Sequence, residues 1–334
     1  MVKPVVKMLA SVISHMPLHT VWRESGVTKR HGFELQVDVA GFDLPGQPRI
    51  SMRDRAKLLL NGDYDLLSGL HHEPYVYRAR GDKRFVYLAQ AQNDWDDRVI
   101  ATQEIKSAKD LEGKKLILLG RAPCVYGNLL HTLRVDGADP DKIEFIDMGY
   151  DDGGPAEAVR AIARGEAAAA NVDAPFDRQG EKVGLHTLDL TGIPVIHNST
   201  MCANREWIQA DEETAYALMR SMVDAIHFFK TKPSETCAIL ERSLAPHIGL
   251  QGPDEVEHLQ KVWADLLSPK PYPHPLAVWN VFNLDVSHDP NVNFINPFEL
   301  WDTSILRAID DSEYIDELYG GAKEAANPGV NAVI

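Results

Sequence analysis

The sequence predicts an α/β protein with two lobes. Segments typical of strands alternate with segments typical of helices from residue 5 to about residue 200, and this alternation favours parallel-type sheets joined by crossover helices. The chain has 334 residues, roughly twice the length of a typical domain. We therefore expect one sheet in each lobe, followed by a mainly helical C-terminal region.

The first lobe is expected to alternate strand and helix from its start. Residues 33–39, for example, alternate apolar and polar side chains, which is typical of a half-buried strand. The expected strands cover residues 5–13, 33–39, 64–67 and 85–91. One helix is expected to end near residue 25, and a second is expected over residues 53–60.

The second lobe is expected to follow residue 98. Its predicted strands cover residues 116–119 and 143–148, and Pro155 suits the first turn of a helix over residues 155–163. Residues 99–102 are short and extended, and we interpret them as a crossing between lobes. The lobes are predicted to comprise residues 1–98 plus 204–334 and residues 99–203, with crossings near 98–103 and 193–203.

The C-terminal region has helical periodicity. The negative charge of Asp211, Glu212 and Glu213 suits the first turn of a helix. Helices are expected over residues 211–230, 233–243, 253–267, 297–309 and 310–319, and a long ordered loop region over residues 268–300.

Composition and charge restrict the function classes. Hydrophobic residues make up 44% and charged residues 25% of the chain, which is ordinary for a globular protein. The formal net charge of −15 argues against binding to nucleic acid or to an anionic membrane surface, since both need a basic face. A small organic anion remains an acceptable partner, because a local pocket can be positive. The sequence leaves a homo-oligomer open.

The cysteines and the N-terminus favour a cytoplasmic protein. Cys124, Cys202 and Cys237 are odd in number and widely spaced, so we expect reduced thiols rather than a disulfide framework. Lys7 interrupts the continuous apolar core that a secretory signal requires. No stretch reaches the ~18 apolar residues of a membrane span, and no membrane insertion is expected.

The densest group of titratable residues follows the strand predicted over residues 64–67. We call residues 68–73 the elbow. Ligands of open α/β sheets bind beyond the carboxyl ends of strands, and histidine can act as an acid, a base or a metal ligand. Ligand hydrogen bonding and helix capping are the plainer interpretation of this cluster, and catalysis and metal ligation are the alternatives. The spacing matches no metal signature, so no metal or cofactor is expected. The candidate catalytic residues are His72, His71 and Glu73.

Several polar residues are candidate ligand contacts around the same cleft. His15 follows the first strand and is expected opposite the elbow, with His19 four residues later; burial in the core is the alternative for both. His197 and Asn198 stand where the chain returns between lobes, although a plain strand end explains them equally well. The candidates on the first lobe and the crossings are His15, His19, Ser68, Gln92, His197 and Asn198.

Arg121 is the candidate clamp for an anion. It precedes a predicted helix whose first amides, at residues 122, 124 and 125, offer free N–H groups. Tyr126 could stack or hydrogen-bond there. Arg98 is a second candidate, with pairing to Asp96 or Asp97 as its alternative.

The sequence lacks the strong catalytic motifs. No Ser-His-Asp motif, phosphate loop or dinucleotide fingerprint is present. Residues 149–154 are rich in glycine but lack the spacing of either nucleotide motif, and we interpret them as a turn.

The order of three motifs resembles the type II periplasmic-binding-protein superfamily, in the branch of sulfonate- and nitrate-binding proteins. Gly62–Asp65 stands where that branch ends a helix of the first lobe, and Asp110–Lys115 stands where the second lobe opens. Ile162–Ala168 matches the segment that closes the last helix, with Ala168 where an acidic residue is usual. The resemblance extends over roughly residues 5–240 and implies two lobes around a central ligand cleft.

The same resemblance includes cytosolic enzymes. It implies an activity like that of dihydroxyphthalate decarboxylases, hydroxymethylpyrimidine phosphate synthases or a biphenyl-sulfinate desulfinase. The synthases carry a histidine near the elbow, as here, but also a run of cysteines that this chain lacks, with only Cys202 nearby. The desulfinase needs a cysteine soon after the first strand, where this chain has Ser14, His15 and Met16.

Two functions remain open from the sequence. The first is a cytoplasmic lyase of aromatic catabolism, a decarboxylase of a small aromatic or heterocyclic acid, with Arg121 holding the carboxylate and His72 or His71 donating a proton. The second is a solute-binding protein of an ABC importer for a small organic anion, and a synthase-like protein is a further alternative. The sequence favours the enzyme only slightly.

Overall fold

The computed structural model describes residues 4–40, 50–51, 54–121, 123–149, 153–196, 198–286 and 289–329, without the side chains of 123–124 and 285–286. Two five-stranded sheets, each covered by helices, form two lobes. This confirms the predicted α/β class. Both sheets are mixed rather than purely parallel, because each contains one strand that runs antiparallel to both of its neighbours.

The first sheet has the strand order β2-β1-β3-β10-β4. β1 runs parallel to both β2 and β3, with Met8 opposite Val37 and Leu66. β10 runs antiparallel between β3 and β4, and Met201 lies opposite Ser68. The strands are β1 (Val5–Ala10), β2 (Glu34–Val39), β3 (Leu66–Ser68), β4 (Phe85–Gln90) and β10 (Thr200–Asn204).

The second sheet has the order β7-β6-β8-β5-β9. β6 runs parallel to β7 and β8, whereas β5 runs antiparallel to β8 and β9. The strands are β5 (Arg98–Ala101), β6 (Lys115–Leu118), β7 (Glu144–Asp147), β8 (Ala169–Val172) and β9 (His186–Thr187).

Helices connect and cover these strands. On the first sheet, α9 begins after Asp211, whose side chain accepts a hydrogen bond from the Thr214 amide and so caps the helix. The helices are α1 (Met16–Glu24), α2 (Val27–Arg30), α3 (Arg55–Leu60), α4 (Glu73–Ala79), α5 (Pro123–Val135), α6 (Gly154–Ala163), α7 (Phe176–Lys182), α8 (Arg205–Ala210), α9 (Glu212–Thr231), α10 (Pro233–Ser243), α11 (Ala245–Ile248), α12 (Pro253–Leu266), α13 (Pro275–Val281), α14 (Ser304–Asp311) and α15 (Tyr314–Tyr319).

The hydrophobic clusters assign α7 and α12 to different lobes. Phe176 of α7 packs with Ile100 and Ile117 of the second sheet. Val256 and Trp263 of α12 pack in the large cluster that contains the strands of the first sheet. The two helices nevertheless touch each other, so they form a contact between the lobes.

Residues 98–101 form a strand of the second sheet, in which Val99, Ile100 and Ala101 are buried, in line with the extended segment expected over residues 99–102. Two local predictions were wrong. The loop expected over residues 268–300 contains α13 and a π-helical turn, Phe282–Val286. The helix expected over residues 297–309 is a 3-10 turn, Pro297–Leu300, followed by α14.

The structure explains these differences by long-range packing. Ala277, Val278 and Val281 of α13 fill the core of the second sheet, so tertiary contacts stabilise a helix in a segment of loop-like composition. Trp301 bridges to Tyr87, and the Asp302 amide donates to the Tyr87 carbonyl oxygen, which interrupts the expected helix. The division of the chain at residues 98 and 204 stays a prediction.

Candidate functional site

The elbow packs directly against the segment that follows β1. Gly69 has a φ of +80°, and a Cβ placed on it would lie 2.1 Å from Cε1 of His15. Only glycine both adopts this backbone conformation readily and leaves room for the imidazole. The Ser11 hydroxyl donates to the Gly69 carbonyl oxygen at 2.9 Å. His15 therefore lies opposite the elbow, as predicted, and is buried.

His19 and Ser68 form a buried hydrogen-bonded pair. Nε2 of His19 lies 2.8 Å from Oγ of Ser68, and both side chains are fully enclosed. Burial lowers the pKa of His19 to about 3, since a charged imidazole would lose its hydration. His19 is therefore neutral near pH 7 and supports the elbow from the core side.

His71 belongs to a hydrogen-bonded chain that runs to the segments between the sheets. Its Nδ1 lies 3.3 Å from the hydroxyl of Thr200, which also contacts Oε1 of Gln90. Nε2 of Gln90 donates to the carbonyl oxygen of Asn198 at 2.9 Å, and the Asn198 amide donates to Asp96 at 2.7 Å.

This series of hydrogen bonds determines the tautomer of His71. The amide nitrogen of Gln90 is used as a donor, so its oxygen must accept the hydroxyl proton of Thr200. The Thr200 oxygen then accepts from His71, which places a hydrogen on Nδ1. The second ring nitrogen, Nε2, is therefore the one that carries a lone pair in neutral His71.

The three candidate catalytic residues point to different surroundings. Only His71 joins the buried polar chain. Glu73 forms an ion pair with Arg55 at 2.9 Å. His72 lies close to Asp289: hydrogen bonds from Asn291 lower the pKa of that carboxyl most, and the charge of His72 adds to the effect. The predicted trio is thus separated, in line with the expectation that neighbours at a helix start diverge.

A cavity of about 250 Å³ lies between the two lobes, next to this region. One wall follows β1 and includes Ile13, Ser14 and Pro17. The opposite wall comes from the start of α6 and from the loop before α7. The full lining is Ile13, Ser14, Pro17, Gly153, Gly154, Pro155, Ala156, Asp173, Ala174, Phe176, His247, Ile248, Gly249 and Leu259. Its side chains are mainly apolar, and the polar ones belong to Ser14, Asp173 and His247.

Both predicted arginine contacts are engaged in ion pairs. Arg121 contacts both carboxylate oxygens of Asp147 at 2.8 Å and stacks on the ring of Tyr126. Arg98 pairs with Asp177 at 3.1 Å, rather than with Asp96 or Asp97. Neither arginine lines the cavity between the lobes. The amide of residue 122 and the side chain of residue 124 lie outside the described residues.

Gln92 and Asn198 lie near this series of hydrogen bonds. Gln92 is fully buried, and among the described residues neither atom of its amide group has a hydrogen-bond partner. Buried amides without partners are costly, so this position is suited to a polar ligand atom or a water molecule. Asn198 is placed as described above, and His197 lies outside the described residues.

Sequence reasoning missed most of the cavity lining. Gly153 and Gly154 were interpreted only as a turn, yet the turn places the start of α6 against the first lobe. Pro155 at that helix start was the available signal. Residues 247–249 approach the cavity only through tertiary packing, which no local pattern shows.

The described residues show neither a metal-binding cluster nor a membrane-spanning helix. They contain no group of three or more histidine, cysteine or acidic side chains placed to hold a metal ion. Within those same ranges, no helix combines the length and apolar character that crossing a bilayer requires.

The chain is similar to a known family and to several solved structures. A model of the NMT1/THI5-like family matches residues 40–236, and no curated protein matches significantly. The periplasmic aliphatic sulphonate binding protein SsuA from Escherichia coli is 16% identical, with a TM-score of 0.61 over 90% of this chain and 99% of that one.

Two further solved structures agree. The periplasmic nitrate-binding protein NrtA from Synechocystis PCC 6803 is 13% identical, with a TM-score of 0.59 over 99% of this chain and 92% of that one. A protein from Bordetella bronchiseptica RB50 is 18% identical, with a TM-score of 0.66 over 93% of this chain and 98% of that one. These likenesses confirm the predicted type II periplasmic-binding-protein fold.

Proposed function

The chain belongs to the NMT1/THI5-like family, and from this premise we propose that it binds a small organic anion between its two lobes. The single observation that carries the proposal is the cavity of about 250 Å³, whose walls come from both lobes. A ligand in this position contacts both lobes at once, so it favours the closed arrangement over an open one.

The cavity walls restrict the ligand. Pro17, Ala156, Phe176 and Leu259 form an apolar enclosure, which suits a hydrocarbon or aromatic body. The name of the E. coli neighbour specifies a sulphonate and that of the Synechocystis neighbour specifies nitrate. We therefore propose an organic acid with an apolar body, recognised as in a solute-binding protein that serves an importer.

The proposal changes the expected anion contact. Arg121 is neutralised by Asp147 outside the cavity, so it is a poor candidate for the clamp. The start of α6, at Gly154 and Pro155, lines the cavity and presents the positive end of a ten-residue helix. His247 lies at the cavity edge and can add a hydrogen bond.

A calorimetric titration tests the proposal. The wild type is titrated with aliphatic and aromatic sulfonates, aromatic carboxylates and nitrate, after a thermal-shift screen of the same compounds. An Ala156→Leu variant introduces a larger side chain into the cavity, and we expect it to weaken binding of any hit by about 1–3 kcal/mol, the cost of overpacking.

A matched control lies on the same helix. Ala163 is exposed and does not line the cavity, so Ala163→Leu should leave the affinity unchanged. Equal affinities of the two variants for a confirmed ligand would show that the ligand binds elsewhere. A failure of every compound to bind the wild type would count against an organic-acid ligand.

A decarboxylase is the second candidate, favoured by one observation. His71 is enclosed at the elbow and carries its lone pair on Nε2, so in its protonated form it could transfer a proton to a carbanion. Glu73 and Arg121 are engaged in ion pairs and His72 lies near Asp289, so these three residues support the predicted catalytic site less well. A His71→Gln variant should lower carbon dioxide release by roughly 10²–10⁴-fold. The absence of release from every bound acid would contradict the activity.

The synthase-like alternative is weakened further. Cys202 is fully enclosed in β10, and burial raises the pKa of its thiol far above the ordinary value. A protonated thiol without access to solvent is a poor nucleophile or ligand.

A further inference from the structure

The lobes meet at a polar contact between α7 and α12, beside the cavity. We name this contact the interlobe latch and define it by Asp177, Gln179 and Lys182 of α7 with Glu255 and His258 of α12. The apolar residues of α12 face the first lobe, whereas Glu255 and His258 face α7. The contact therefore joins two lobes that have separate cores.

Glu255 is the centre of the latch. Its side chain is fully buried, and its carboxylate accepts hydrogen bonds from Nε2 of Gln179 at 2.9 Å and from Nζ of Lys182 at 2.8 Å. The Gln251 amide of its own lobe donates a third bond at 2.8 Å. Two of these three donors, Gln179 and Lys182, belong to the other lobe, so opening the cleft would remove them.

Asp177 forms the second half of the latch. His258 Nε2 lies 2.9 Å from its carboxylate, and Arg98 Nε of β5 lies 3.1 Å from the same oxygen. Burial by itself would raise the pKa of Asp177, but the hydrogen bond from His258 and the charges of His258 and Arg98 hold it below the ordinary value. The carboxylate is thus maintained in its charged form between the lobes.

The chemistry of the latch suits reversible closure. Buried charges lose hydration when the lobes close, and each group of the latch needs its partner from the other lobe to offset that loss, so removal of one partner disfavours the closed contact. When the lobes separate, water can replace each donor of the latch. A polar contact of this kind separates more readily than an apolar one.

The latch is also continuous with the cavity. Gln179 donates to the carbonyl oxygen of Gly249 at 3.2 Å, and Gly249 lines the cavity together with Phe176, the first residue of α7. A rotation of α7 away from α12 therefore opens the same wall.

We propose that the interlobe latch holds the cleft closed in the absence of ligand and thereby controls access to the cavity. The inference rests on the proposed function only in naming that cavity as the binding site. Its test needs no ligand, so the two proposals can fail separately.

Small-angle X-ray scattering of the full chain provides the test. A compact protein of 334 residues has a radius of gyration of about 20 Å. We expect this value for the wild type and a larger radius and maximum dimension for Glu255→Ala. The matched control is Glu257→Ala, because Glu257 is exposed two residues away on the same helix. It should scatter as the wild type does.

Two additional variants keep the test decisive. If circular dichroism shows that Glu255→Ala does not fold, two other variants replace it. Glu255→Gln keeps the size of the side chain, and Lys182→Met changes a half-exposed residue of the other lobe. We expect expansion in both. Folded variants with the same scattering as the wild type would overturn the proposal, and so would a wild type already as expanded as the variants.

Discussion

The ammonium of Lys182 lies 2.8 Å from the carboxylate of Glu255, although their helices pack on different sheets. The pair combines a fully buried acid with a lysine that is nearly half exposed. Its energetic effect should therefore fall between that of a surface ion pair and that of a buried one.

Lys182→Met should destabilise the protein, because it removes a charge-assisted hydrogen bond to a fully buried carboxylate. The exposure of Lys182 reduces the effect. Urea unfolding followed by circular dichroism measures the change. Arg178→Met on the same helix removes an exposed pair with Glu181 and should cost less than about 1 kcal/mol. Equal costs for both substitutions would contradict the role of Glu255.

Gly69→Ala should be more destabilising than an equivalent change at another left-handed glycine. The added Cβ would collide with the ring of His15, so the backbone cost of about 1–2 kcal/mol is increased by about 1–3 kcal/mol of overpacking. Gly62→Ala is the control, because Gly62 has a φ of +78° and its Cβ would meet no atom within 4 Å. Thermal unfolding of both variants gives the comparison. Similar melting temperatures would show that His15 does not restrict the elbow.

The buried His19 should make stability depend on pH. Its pKa is about 3 in the folded protein and about 6.5 in an unfolded chain. Between these values the unfolded chain binds a proton that the native protein does not, so stability falls as the pH falls. The slope reaches about 1.4 kcal/mol per pH unit.

Unfolding free energies between pH 4.5 and 6 measure this contribution. In His19→Gln the change in unfolding free energy per pH unit should be smaller by the contribution of this one proton, whatever the absolute stability of the variant. An unchanged slope in His19→Gln would mean that His19 titrates equally in both states.

Removal of the Thr200 hydroxyl should destabilise the protein at His71. Thr200→Val removes the hydroxyl that lies between His71 Nδ1 and Gln90 Oε1, which we expect to cost about 1–3 kcal/mol. Nitrogen-15 NMR of the wild type should show the tautomer with hydrogen on Nδ1. The opposite tautomer in the wild type would contradict the assigned direction of the hydrogen-bond chain.

The sequence predicted the architecture better than the contacts. Alternating patterns, such as that of residues 33–39, are local and identify strands directly. The insertion of β10 between β3 and β4 depends on pairing between residues more than 100 positions apart, and no local pattern specifies it. For the same reason, the extended segment at residues 98–101 could not be assigned to the second sheet from the sequence.

Local sequence patterns were also insufficient to predict the contacts of the candidate site. The elbow was recognised because its polar residues are adjacent in sequence, and His15 was placed opposite it by the order of the strands. Arg121 was recognised as a cation at a helix start, but its partner Asp147 lies 26 residues away on a neighbouring strand. Residues 247–249 reach the cavity from a helix of the C-terminal region, and only the folded chain shows this.

The central claim is that one ligand contacts both lobes in the cavity. Hydrogen-exchange mass spectrometry with a ligand identified by calorimetry tests this most directly, because bound ligand slows the opening of the segments that it joins. We predict slower exchange in residues 13–17 of the first lobe and in residues 153–156 and 173–176 of the second lobe. Protection confined to one lobe, or located away from these three segments, would contradict the claim.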